Sequence, residues 1–67
     1  MERQLAIQEV SREIENLARM HILYGIQDTS VFEQKKVRIK ELIEQNHINW
    51  RNDLDPVFCN LYRRYFD

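Results

Sequence analysis

One glycine, one proline and one cysteine are all that this chain holds of the three residues that most often shape small folds. With Cys59 alone, no disulfide can form within the chain, and a lone thiol suits a reducing cytosol. With Gly25 alone, a glycine-rich phosphate loop cannot be built. An excess of one charge is missing too. Ten Lys and Arg against eleven Asp and Glu leave a net charge of −1, which gives no general attraction to nucleic acid or to an anionic membrane. Long apolar runs are also lacking: the densest stretch, M-H-I-L-Y-G-I from Met20 to Ile26, falls well short of the roughly 20 apolar residues that cross a bilayer. The opening M-E-R-Q has no apolar leader core. These absences lead us to expect a cytoplasmic protein with no membrane partner, no cofactor and no small-molecule substrate.

A length of 67 residues accommodates one domain, taken as 1–67, in which any active site would have to share the few elements that hold the fold together. An enzyme is therefore not expected. Chains this short usually gain their margin of stability from disulfides, a metal, oligomerisation or a bound partner. The cysteine count removes the first of these.

What is present is helix-forming sequence cut by few breakers. Residues 2–24 are rich in Glu, Arg, Gln, Leu and Ala, and Ile7, Val10, Ile14, Leu17, His21 and Tyr24 follow a 3-4-3-4-3 spacing that marks one helical stripe close to a coiled-coil seam. Ala6, Ala18, Met20 and Leu23 widen that stripe toward its end. Gly25 suits a left-handed stop, after which Ile26 can fold back onto Met20. Ser30 and Glu33 have the spacing of a capping box for a second helix over 31–45. Its inner face is Phe32, Ile39, Leu42 and Ile43, with Lys35, Lys36, Arg38, Lys40, Glu41 and Glu44 mostly outside; Val37 falls off the stripe and reads as a second contact. Asn46 is the expected stop. A linker of about five residues between the two helices favours an antiparallel hairpin.

From Asn46 to Asp55 turn-forming residues alternate with Ile48, Trp50 and Leu54, which reads as a compact connection pinned to the core. Asp55 as N-cap, Pro56 at the first helical position and Leu54 as a staple announce a third, short helix over 56–66, amphipathic through Phe58, Leu61, Tyr62 and Tyr65. The fold class is thus all-α: an antiparallel helical hairpin plus a short C-terminal helix, a small three-helix bundle completed by oligomerisation.

Candidate chemistry is thin. His21, His47, Cys59, Asp53 and Asp55 include good metal-ligand types, but they fall in three segments without ligand spacing, and the Asp53-Leu-Asp55 pair lacks the later Gly and Glu of a calcium loop. Cys59 beside Phe58 in an amphipathic helix reads as a small hydrophobe rather than a nucleophile. Glu9, Glu13 and Glu15 sit among Arg12 and Arg19 as surface ion pairs. A nucleic-acid alternative pairs a helix-turn-helix-like arrangement with the basic residues Lys35, Lys36, Arg38 and Lys40. Against it, the 46–55 connection is long, Asp53 and Asp55 stand where phosphate would lie, and the four cations spread around their helix.

The reading that remains is a protein-interaction module: a regulator, adaptor or assembly factor without catalysis, binding another protein or itself. Arg63, Arg64, Tyr65 and Phe66 are one candidate surface, because Tyr and Arg are enriched at binding hot spots. The stripe Ile7, Val10, Ile14 and Leu17 is the other, as the seam of a homodimer. A seam histidine, His21, reads as a partly buried side chain with a local hydrogen bond.

Overall fold

A computed structural model describes residues 2–26 and 29–66, and over them the chain is all-helical. Four helices follow one another: α1 (Arg3–Tyr24), α2 (Ser30–Gln45), the one-turn α3 (Trp50–Asp53) and α4 (Pro56–Phe66). α1 packs against α2 and α4, and α3 sits in the corner beside α4.

α1 runs unbroken until Gly25, which takes φ 66°. Its N–H donates to the His21 carbonyl at 3.0 Å, and the Ile26 N–H reaches back to the Met20 carbonyl at 2.9 Å, so the chain does fold back as its sequence indicates. α2 begins one residue earlier than the Ser30 to Glu33 capping box predicts. Thr29 is the N-cap: its hydroxyl accepts from the Phe32 N–H at 3.2 Å, while Ser30 is already helical. Threonine and serine both cap well, and Glu33 stays in the first turn, where its charge complements the helix dipole. At the far end Asn46 is the cap, its side-chain amide donating to the Leu42 carbonyl at 2.9 Å. The left-handed residue is His47, at φ 51°. The His47 N–H donates to the Glu44 carbonyl and the Ile48 N–H to the Ile43 carbonyl, the bond pattern of a Schellman stop, and it drives Ile48 into the core.

The connection after α2 is pinned as its sequence predicts, with Ile48 and Leu54 buried and Trp50 half-buried, but it also contains α3. Asn49 caps this turn, its side-chain oxygen accepting from the Arg51 N–H, while the Asp53 carboxylate accepts from the Asn49 N–H at 2.8 Å. Arg3 then ties three elements together. Its guanidinium donates to the His47 carbonyl at 3.0 Å and to Asp53 at 2.5 Å, joining the start of α1 to the end of α2 and to α3. α2 therefore returns antiparallel along α1. Because Tyr65 near the end of α4 meets His21 near the end of α1, α4 runs parallel to α1.

The core lies where the three long helices converge. Ala6, Val10, Ile14 and Leu17 from α1, Phe32, Ile39 and Leu42 from α2, then Ile48, Leu54 and Tyr62, form one buried cluster. This corrects the homodimer seam: Val10, Ile14 and Leu17 have no exposed surface, and Ile7 is half-buried against the same cluster. The apolar spacing identified the stripe, but the chain's own helices cover it. Val37, read as a second contact, is exposed instead, because it projects from the side of α2 opposite its buried face. Tyr24 departs most from its pattern. It lies on the Leu17 stripe, one heptad on, yet is mostly exposed, one residue before the helix stops at Gly25.

Candidate protein-interaction surface

The end of α1, just before the hairpin turn, leaves apolar side chains exposed. Ile22, Leu23 and Tyr24 are 62 %, 67 % and 73 % exposed. Consecutive helical residues point about 100° apart, so three in a row spread over more than half of the helix circumference, and within the last turn of α1 His21 alone is half-buried. Val31, the second residue of α2, adds a fourth exposed apolar side chain at this end.

The close of α4 arrives at the same place. The Tyr65 hydroxyl and His21 Nδ1 share a hydrogen bond at 2.8 Å, and the Tyr65 ring meets the His21 and Phe32 rings edge-on, with centroids 5.5 and 6.1 Å away. Phe66 stacks on Tyr62 at 4.4 Å, and Trp50 leans against the other side of the assembly with its centroid 4.6 Å from Tyr62. Tyr65 and Phe66 are thus half-covered by their own chain. Over these rings lie cations: Lys36 Nζ is 5.6 Å from the Phe66 centroid and the Arg64 guanidinium 5.7 Å from that of Tyr65. Arg63 and Arg64 are exposed, and neither is ion-paired among the described residues.

The residues singled out in the sequence therefore part company. Tyr65, with Arg64 over its ring, lies beside His21 near the end of α1, Phe66 stacks on Tyr62, and Arg63 is exposed, whereas Ile7, Val10, Ile14 and Leu17 face the interior. The basic residues of α2 also divide. Lys35 reaches the half-buried Glu13 of α1 at 3.5 Å and Lys36 covers Phe66, leaving Arg38 and Lys40 exposed further along the helix. Glu9 with Arg12 and Glu15 with Arg19 form the expected ion pairs along α1. The sequence reading passed over Ile22 and Val31. The signal was the unbroken I-L-Y run before the glycine, because three adjacent apolar residues on a helix cannot all face one core.

Cys59 is occupied. The Cys59 thiol donates toward the Trp50 and Leu54 carbonyls, at 3.0 and 3.2 Å, and so serves backbone groups around α3. Among the described residues no group of three or more His, Cys, Asp or Glu side chains is placed to hold a metal ion, and no helix is long and apolar enough to cross a membrane. A shallow groove between α1 and the α3–α4 corner, lined by Ile7, Ser11, Glu15, Asp55 and Phe58 among others, is polar along much of its wall.

No family model, curated protein or solved structure matches this chain. The reading of its surface rests on its own geometry.

Proposed function

We propose that this chain is a small non-catalytic protein-interaction module, acting as a regulator, adaptor or assembly factor, whose working surface is the hairpin-turn end. The observation that supports it most is the exposure of Ile22, Leu23 and Tyr24 on a helix whose earlier apolar stripe, Ala6, Val10, Ile14 and Leu17, is buried in the core. Scattered exposed apolar residues such as Leu5, Val37 and Val57 need no explanation, but adjacent ones on a helix that also meets half-covered aromatics have the composition of a binding surface. The partner is another protein. Self-association through the α1 seam would require opening the core, so a second copy would have to use a different face.

The test is a pair of pull-downs from source cells, one with the wild-type chain and one with Leu23→Glu/Tyr24→Glu, with each candidate then rebuilt from purified components. A partner that binds the wild type in a defined stoichiometry and is lost with the variant supports the reading. Partners retained equally by both, at unchanged affinity in the purified system, overturn it.

A further inference from the structure

Tyr24 continues the α1 stripe and is nevertheless 73 % exposed, and the register of the two hairpin helices supplies a state in which it is covered. At 100° per residue, a straight helix carried through the turn would set the centre of the Ala6, Val10, Ile14 and Leu17 face within roughly 15° of the centre of the Phe32, Ile39 and Leu42 face. The buried faces of α1 and α2 are thus in phase. Tyr24 and Asp28 fall on the common face, with Val31, 54 % exposed in the hairpin, at its border. From this register we propose that the chain has a second, exchanged state: two copies open at Gly25, α1 and α2 of each run on as one helix, and α2 to α4 of each copy close over α1 of the other.

Exchange opens the core only to rebuild it between copies. α2, α3 and α4 move together, so the pairs Glu13 to Lys35, Arg3 to Asp53 and His21 to Tyr65 re-form with the same atoms. At the turn, the Gly25 N–H already donates to the His21 carbonyl and the Glu33 N–H to the Thr29 carbonyl, each four residues back as in a continuous helix. Among the described bonds, the one from Ile26 to Met20 and the Thr29 cap are given up. No proline stands between the helices. The two long helices lie antiparallel, so their middles bring Tyr24 and Val31 against the other copy as a continuation of the α1–α2 interface, while Ile22 and Leu23 point off the common face. Two residues hold the hairpin as the major form: Gly25, a weak helix former, and Asp28, whose carboxylate interrupts the apolar face. Because exchange covers Tyr24, it withdraws part of the surface proposed above, but the inference itself does not rest on that proposal.

The experiment concentrates the wild-type chain, Gly25→Ala and Gly25→Ala/Tyr24→Gln, warms each through its melting transition, cools it and measures the dimer by sedimentation velocity. The wild type should give a minor dimer that persists on dilution in the cold, since leaving it requires the core to open. Alanine meets no atom within 4 Å at position 25 and acts through backbone preference alone. It should raise the association constant by about a hundredfold, because each dimer straightens two such turns, and adding Tyr24→Gln should take back about tenfold. In Gly25→Ala dimers refolded from equal parts of isotope-labelled and unlabelled chain, contacts between the His21 and Tyr65 rings, 5.5 Å apart in the hairpin, should appear between copies in isotope-filtered NOE spectra. Ring contacts confined to single copies would overturn the exchange, as would a wild type that stays wholly monomeric after warming at every concentration. A dimer population indifferent to Tyr24→Gln would overturn the covering of the turn by a second copy.

Discussion

Gly25 and His47 adopt the same left-handed conformation at the ends of successive helices, although only glycine does so without cost. A Cβ placed on Gly25 meets no atom within 4 Å, so Gly25→Ala is penalised by its backbone angles and not by a clash. We expect a loss of about 1 kcal/mol from that substitution in urea melts, and a gain of about 0.5–1 kcal/mol from His47→Gly, which relieves the strained position. The Arg3 contact at residue 47 uses only the carbonyl and survives the change. Burial separates other residues just as sharply. Ile14→Ala removes a side chain with no exposed surface, while Leu23→Ala trims one that is mostly in water. The first should cost about 2–5 kcal/mol and the second no more than about 0.5 kcal/mol, read from the same melts.

At the scale of elements, α4 is too short to persist without docking, and the His21 to Tyr65 bond with the surrounding rings anchors its last turn. Tyr65→Phe keeps the rings in contact and deletes the hydroxyl, so it should lower stability by about 0.5–1.5 kcal/mol and speed amide exchange in α4 more than in α1. Asp53→Ala removes the acceptor shared by Arg3 and the Asn49 N–H and should loosen the α3 corner first, an effect visible as amide shifts clustered at residues 47–54. These elements were legible in the sequence to different degrees. Gly25, Asn46 and Pro56 marked the ends of helices because each carries a specific backbone preference. The α2 start slipped by one residue because Thr29 and Ser30 are near-equal caps. α3 was missed because a single turn offers no periodicity, although Asn49 followed by Asp53 carries its capping chemistry.

For the whole molecule, apolar spacing told which side chains share a face and left open what covers that face. Val10, Ile14 and Leu17 had the spacing of a seam between two chains, but α2 and α4 reach them first. Tyr24 continued the same spacing and is uncovered, because coverage depends on how far neighbouring helices extend, a property no local pattern records. The candidate site was half legible: Arg63, Arg64, Tyr65 and Phe66 stood out by type, while the meeting of Tyr65 with His21 depends on α4 running parallel to α1. With the seam consumed, the chain should sediment as a monomer at micromolar concentration, and a concentration-dependent dimer abolished by Leu23→Gln would identify a second copy as the occupant of the turn end.

The central claim, that Ile22, Leu23 and Tyr24 serve binding and not folding, meets its most direct test in one paired measurement on Ile22→Gln/Leu23→Gln/Tyr24→Gln. Glutamine keeps the helix propensity and removes the apolar surface. The thermal midpoint should stay within about 4 °C of wild type, a shift worth less than about 1 kcal/mol for a domain of this size, while affinity for the partner is lost. A large fall in Tm with binding retained would contradict the account.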